Sequence, residues 1–176
     1  PGATDSLFTP PVSTVGTVYY YCEIIQSGLN CGVTSQTAKI ITTPTPSISN
    51  QPNGFQKLCV GGSPSLLSVS YVSGNNSVSY QWYKNTVNSN MGGTPIIGEI
   101  ADSYLPPTSM AGTNFYYCVL SFSVGGCSNV ISNPAEVVVV DDPVISNQPV
   151  LSQMICQGTT IIQPLSFSFS GGTGAT

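Results

Sequence analysis

The feature that most constrains this chain is that it repeats itself. TPPVSTVGTVYYYC, from Thr9 to Cys22, returns 96 positions later as LPPTSMAGTNFYYC, from Leu105 to Cys118. Cys22 is followed by Cys31 and Cys118 by Cys127, with eight residues between the members of each pair. ISNQP at Ile48 to Pro52 returns at Ile145 to Pro149, and CVGG at Cys59 returns as CQGT at Cys156, now offset by 97. One insertion therefore separates the copies. A period of this size with strand-like contents means tandem modules, each folding as a unit. Residues 1–43 read as the C-terminal half of one module, 44–142 as a complete module, and 143–176 as the N-terminal part of a third. Pro1 falls inside a repeat, so further chain is expected upstream. About 100 residues suffice for an independent core. The third part is too short for one, and its end, Gly171–Thr176, is expected to be disordered.

Charge is sparse. The chain has three lysines, no arginine and seven acids, 6% charged residues in all, against about a quarter in ordinary globular proteins. Its exterior must be built of Ser, Thr, Asn, Gln and Gly. Phosphate neutralisation needs Lys/Arg clusters, so nucleic acid is excluded as a partner. The 40% hydrophobic content, arranged in alternation, argues against intrinsic disorder. No run of 18 apolar residues occurs, so no direct membrane insertion is expected of this fragment. Six cysteines on such a chain favour an oxidising, extracellular setting.

No segment has helical period; Pro and Gly punctuate short alternating runs, which is an all-β signature. ISNQP reads as an edge strand that Gln56–Val60 continues, with Gly61-Gly62 as the turn. Leu67, Val69 and Tyr71 form one half-buried set, and Val78, Tyr80 and Trp82 a second. Asn85 to Gly98 reads as loop with a short strand at Pro95–Ile97. Ser103–Leu105, Phe115–Phe122 and Val130–Val140 complete the module, the last broken at Asn133-Pro134. About seven strands per module is the count of an immunoglobulin-like β-sandwich. Trp82 stands 11 positions after Tyr71, as the central tryptophan of such folds stands after the second strand's core residue, and Tyr116 lies two before Cys118. Tyr71, Trp82 and Tyr116 are thus the expected core markers. Tyr71 occupies the place of the antibody-domain partner cysteine, so the usual inter-sheet disulfide cannot form.

YQWYKNTVNSNMGGTPI, GTNFYYC and CVGG resemble the Ig-like tandem repeats of giant Bacteroidota cell-surface adhesins, of the SprB type that serves gliding motility. The resemblance covers essentially the whole chain. It implies type IX secretion, anchoring on the outer membrane through regions outside this fragment, and a role in adhesion or motility. It also implies that Ser6, in Asp5-Ser6-Leu7, is similar to an O-glycosylation acceptor of that phylum.

Catalysis is not expected. There is no histidine, the commonest general base and metal ligand, and no serine has a base to activate it. The paired carboxylates, Asp141 with Asp142 and Glu99 with Asp102, fall in a joint and a turn rather than a cleft. Calcium bridging through Asp141-Asp142 is disfavoured because the equivalent joint carries Thr42-Thr43 and no acids. No cofactor and no metal is expected.

The cysteines carry the strongest chemical signal. A hairpin turn centred between Phe122 and Ser123 would set Cys118 opposite Cys127, and the same register would join Cys22 to Cys31. Cys59 and Cys156 are then left over. A bond to a neighbouring module, a bond from Cys59 to Cys118 or Cys127, and a buried free thiol all remain open. On the surface, Gln81, Tyr83, Tyr117 and Val119 face away from Trp82 and Tyr116, which would set Tyr83 and Tyr117 side by side on an exposed sheet face, a candidate platform for a glycan or protein. Scattered exposed aromatics are also ordinary. Asn75-Asn76-Ser77 matches the N-glycosylation pattern at Asn75.

The resulting expectation is the structural repeat region of a secreted bacterial surface adhesin, a stalk whose partners are neighbouring repeats, surface polysaccharide or other cell-surface proteins. Two rivals stand beside it: each module is itself a carbohydrate- or protein-binding unit using loops such as Asn85–Gly93, or it is an accessory module of a large secreted hydrolase.

Overall fold

The structure, a computed structural model, describes residues 2–29, 31–74, 77–123, 125–160 and 164–172. Among them are strands and no helix, as the alternation and the Gly/Pro punctuation require. Residues 1–43 hold β1 (Gly16–Tyr20), β2 (Glu23–Gln26), β3 (Cys31–Thr34) and β4 (Ala38–Thr42). The middle unit holds β5 (Ser47–Asn50), β6 (Phe55–Cys59), β7 (Leu67–Ser68), β8 (Ser70–Val72), β9 (Val78–Asn85) and β10 (Thr94–Pro95). It continues with β11 (Ser103–Tyr104), β12 (Gly112–Phe122), β13 (Val130–Ile131) and β14 (Ala135–Val140). β15 (Val144–Asn147) and β16 (Ser168–Ser170) follow.

The middle unit is a two-layer sandwich. One layer runs β10-β9-β12-β14-β6, with β13 beside the far end of β12. The other is made of the pairs β5-β8 and β11-β7. The core lies between them: Leu67, Val69 and Tyr104 from one layer meet Trp82, Tyr116, Cys118, Leu120, Val137 and Val139 from the other. Aromatic contacts bridge the layers, with Tyr104 5.8 Å from Trp82 and 5.3 Å from Tyr116, and Tyr71 5.4 Å from Phe122 between ring centres. Trp82 Nε1 donates to the Ala101 carbonyl at 3.0 Å, so the largest core residue is also satisfied as a polar group. All core members fall within 67–139, so the unit carries its own core. This is an immunoglobulin-like sandwich, and Tyr71, Trp82 and Tyr116 lie in or against its core.

One strand goes elsewhere than expected. Gln56–Val60 does not prolong the edge begun by ISNQP. The buried Pro52 and the Asn53-Gly54 bend carry the chain across to the opposite layer, where β6 runs parallel to β14 (Val137 beside Gln56, Val140 beside Cys59). Gln56 then fixes the following loop: its amide donates to the Ser65 carbonyl at 2.9 Å and accepts from Ser65 N at 2.7 Å.

The repeat holds at the level of register. In the first segment Gly16 pairs with Thr42 and Ile24 with Val33. In the middle unit the counterparts Gly112 with Val139 and Leu120 with Val130 pair likewise, one strand displaced by 96 and the other by 97. The pair β15-β16 repeats β5-β8, with the same irregularity after Ile48 and Ile145. Even the Ser49–Ser70 hydroxyl contact, at 3.0 Å, recurs as Ser146–Ser168 at 2.9 Å. Because Cys31 maps to Cys127 but Ser35 to Ser132, the inserted residue lies in the turn before β13. Leu120 is fully buried, whereas Ile24 at the same register is 64% exposed, without an opposing layer among the described residues.

Candidate functional site

Local chemistry sets the cysteine positions first. β12 continues to Phe122, held from Phe115 to its end by β9 (Trp82 opposite Cys118, Val78 opposite Phe122). It therefore cannot turn between Phe122 and Ser123. The reversal falls later, where Gly125 and Gly126 both take left-handed backbone (φ 77° and 67°). Val119 then pairs with Ile131 and Leu120 with Val130. Cys118 consequently faces Ser132, not Cys127, and the expected hairpin register is not formed. The first segment makes the same departure: Cys31 lies opposite Gln26, and Cys22 faces Ser35.

What the two copies share instead is a cysteine–serine clamp. Ser132 N donates to the Cys118 carbonyl at 2.9 Å, Cys118 N donates to Ser132 Oγ at 2.9 Å, and Ser132 Oγ donates onward to the Asn133 carbonyl at 3.0 Å. Ser35 and Cys22 repeat all three bonds, at 2.8, 2.9 and 2.9 Å, the last to the Gln36 carbonyl. The clamp closes the break ahead of Pro134, a residue with no N–H to give the ladder. Ser35 and Ser132 stand one repeat apart in the sequence, the signal by which the pair was legible. Burial pushes the Cys118 thiol up to about 12, so it is a protonated, unreactive packing group at neutral pH. Cys127 and Cys59 are half-buried, and Cys22, Cys31 and Cys156 exposed.

Tyr83 and Tyr117 do lie side by side, stacked at 5.1 Å with ring planes 5° apart. They do not form an open platform. Tyr117 is buried, because the loop after β9 folds over it. Gly93 N donates to the Tyr117 hydroxyl at 3.1 Å, and a Cβ at Gly93 would fall 2.8 Å from the Lys84 carbonyl and 3.0 Å from the Tyr117 ring. Buried Asn85 builds this loop: its amide donates to the Ser89 and Met91 carbonyls at 3.1 and 3.0 Å, and its Oδ1 accepts from Thr86 N and Val87 N. Asn90 ties the loop to the Ser132 carbonyl at 3.1 Å. Val87 and Met91 remain at its exposed tip. Gln81, on the same outer face, donates to the Ile96 carbonyl at 2.8 Å, and Val119 is half-buried there.

The carboxylates expected as pairs act through their backbones. The Glu99 carbonyl accepts from Trp82 N and the Asp102 carbonyl from Val69 N. Asp141 and Asp142 are exposed at the joint, and the 97-residue offset aligns them with Pro44 and Thr45 rather than with Thr42-Thr43. Here the Asp141 carbonyl accepts from Gly172 N at 2.9 Å, as the Pro44 carbonyl accepts from Gly74 N at 2.8 Å. Gly171 and Gly172 thus have a place in the fold, while the rest of the segment expected to be disordered, 173–176, lies outside the described residues. Ser6 is exposed in a bend; Asn75 lies outside the described residues.

A groove of about 720 Å³ opens at the first joint, lined by Val12 and Ile41–Thr43 from one side and by Gly74, Gly126, Cys127 and Ser128 from the other.

The family described as "Domain of unknown function (DUF8696)" matches residues 48–141. Among solved structures the chain is similar to Sidekick-1 immunoglobulin domains 1–4, with 14% identity and a TM-score of 0.44 over 80% of this chain and 38% of that one. It is similar also to Sidekick-1 immunoglobulin domains 1–5, with 14% identity and a TM-score of 0.43 over 80% and 30%. The chain thus spans less than half the length of either. No curated protein matches it.

Proposed function

The chain belongs to the Domain of unknown function (DUF8696) family, and we propose that within it this chain is a spacer, a run of Ig-like modules in the stalk of a secreted, cell-surface bacterial adhesin. The observation that carries this reading is the joint. In both joints a turn of the following module donates a backbone hydrogen bond to the linker carbonyl, Gly74 N to Pro44 and Gly172 N to Asp141. The donating turns share their left-handed backbone, at Ser73 and Gly74 (φ 66° and 76°) and at Gly171 and Gly172 (78° and 76°). A linker bonded to the next module and closed by proline is short and stiff, so an array holds a restricted angle and reaches outward as a rod. Few charges and many hydroxyl and amide groups give a surface without a strong steering field. No catalytic group is assigned. The finer reading, an adhesin of the SprB type exported by type IX secretion, rests on the resemblance of the repeats.

Small-angle scattering of a three-module protein tests the spacer role: an extended, narrow particle is expected, and a compact or widely flexing one would refute it. Antibody labelling of intact cells tests the location, and signal only after lysis would refute it.

A second reading has one observation in its favour. The loop 85–93 is fixed by Asn85 and Tyr117 and presents Val87 and Met91 to solvent, a preorganised surface of the kind that binds a protein or glycan at low ordering cost. A glycan array on residues 44–142 separates the two, since a spacer gives no selective signal.

A further inference from the structure

Three cysteines per module need an account, and the hairpin register has removed the simplest one. Cys118 is enclosed by Trp82 and Ser132 and is a core thiol. That leaves Cys59 and Cys127, at opposite ends of the module. Cys59 closes β6 beside Val140, the last residue of β14. Its turn is held there by two residues: Val60 N donates to the Val140 carbonyl at 2.9 Å, and Gly61 N to the Thr108 carbonyl at 2.9 Å. Thr108 Oγ1 donates back to the Gly62 carbonyl at 2.7 Å. Cys127 lies at the other end, in the turn before β13, half-buried against the edge of the core.

The repeat carries these neighbours onto the joint. One module earlier, Val140 corresponds to Thr43 and Thr108 to Val12. Both line the groove at the first joint, and Cys127 and Ser128 line its other side. The two residues that flank Cys59 in its own module thus have counterparts facing Cys127 of the next. Neighbouring strands lie about 4.8 Å apart, and a disulfide spans Cα separations of about 4.4–6.8 Å.

We propose that Cys59 of each module forms a disulfide with Cys127 of the module that follows, across the joint. The inference rests on the tandem reading above. Two thiols lose two protons and two electrons as the S–S bond forms; the electrons pass to a disulfide-donating oxidant such as a thiol oxidase or glutathione disulfide. Cys156 and Cys31 hold the corresponding places in their segments, Cys156 as the donor to a following module and Cys31 as the acceptor from a preceding one.

The test uses two copies of residues 44–142 joined in tandem, a unit that carries its own core. After oxidation by glutathione disulfide, non-reducing peptide mapping is expected to find one link, between Cys59 and Cys127. Cys59→Ser in the first copy abolishes it, and the same change in the second copy leaves it intact. Buried Trp82 fluorescence verifies folding in each variant. A link that survives Cys59→Ser in the first copy, a link that forms in a single unit, a link to Cys118, or free thiols throughout would each overturn the proposal. Scattering of the reduced tandem is read separately: failure of the link to form on oxidation, beside an extended reduced particle, refutes only the disulfide, whereas a compact particle refutes the spacer reading beneath it.

Discussion

Ser132→Ala isolates the clamp that both modules share. Ser132 is fully buried, and its hydroxyl both accepts from Cys118 N and donates to the Asn133 carbonyl. Alanine fills nearly the same space, so packing changes little and the cost is that of stranding a buried N–H and a carbonyl. Leaving one buried partner unsatisfied costs about 1–3 kcal/mol, and we take about 2 kcal/mol for this variant. For a unit of this size each kcal/mol lowers the melting temperature by about 4–8 °C, so the drop should be roughly 8–16 °C. Trp82 is the chain's single tryptophan and is fully buried, so its fluorescence follows unfolding of this unit alone. Ser35→Ala is the control, followed by amide exchange over residues 16–42 because Trp82 does not report on that segment. It removes the same two hydroxyl bonds where the serine is exposed and water replaces them, so it should shift stability by less than about 0.5 kcal/mol. Equal shifts from the two variants would refute the assignment of the clamp's energy to burial.

Other outcomes follow from single contacts. Tyr117→Phe removes the acceptor of Gly93 N and should cost about 1 kcal/mol, with faster amide exchange confined to the 85–94 loop; unchanged exchange there would show that the loop is held without it. Trp82→Ala empties the centre of the core and orphans the Ala101 carbonyl, a loss of about 3–5 kcal/mol measurable by urea unfolding followed by circular dichroism. Cys118 in the folded unit is raised to about 12 from 9.0, and Tyr104 to about 12 from 10.0, chiefly by burial. The folded state therefore keeps these protons longer than the unfolded chain does. Their contribution to stability is complete below pH 9 and is lost as pH rises from 9 toward 12, which melting curves across that range would record. In the reduced native unit, iodoacetamide at pH 8 should label Cys127 and spare Cys118; equal labelling would contradict the burial of the latter.

Much of the sandwich is legible in the sequence, and the misses share one physical cause. Strand faces follow from local alternation, so Leu67 and Val69, Val78 and Tyr80, and the run Val137–Val140 fall where a two-residue period puts them. The partner of a strand is not a local property. β6 has the pattern of an edge strand whether it lies beside β8 or β14, and only closure against Val137 and Val139 decides between them. The hairpin register fails likewise: equal cysteine spacing in both copies reads as a turn length, but pairing with β9 carries β12 straight past the expected turn. Tyr83 and Tyr117 stack as their shared face demands. What buries Tyr117 is a loop that Asn85 closes locally and that Gly93 ties to the Tyr117 hydroxyl on another strand, and a pattern of polar residues does not specify such closure.

The insertion that separates the first copy from the middle one shows which parts of the module fix its geometry. It falls between Cys127 and Ser132, in a turn that faces the joint, and every strand pair on either side keeps its register. A residue added inside β12 or β14 would instead turn half of that strand's core side chains outward, so the core confines such variation to the ends. Ends, however, are where modules meet, and a repeat that varied freely there would lose any regular angle. The linker bond resolves this conflict because it is made by main-chain atoms. Pro44 and Asp141 differ in charge, in shape and in the presence of an N–H, yet each offers the carbonyl that Gly74 and Gly172 require. Side-chain identity at the joint is thereby decoupled from its geometry. The same decoupling explains why Asp141-Asp142 has no acidic counterpart at Pro44-Thr45: nothing in the linker bond depends on those carboxylates. What the joint does demand is left-handed backbone at the donating turn. There a Cβ on Gly74 would come within 3.1 Å of Pro46 and 3.2 Å of Phe122, so the glycine, and not the acids, is the residue that the linker bond requires.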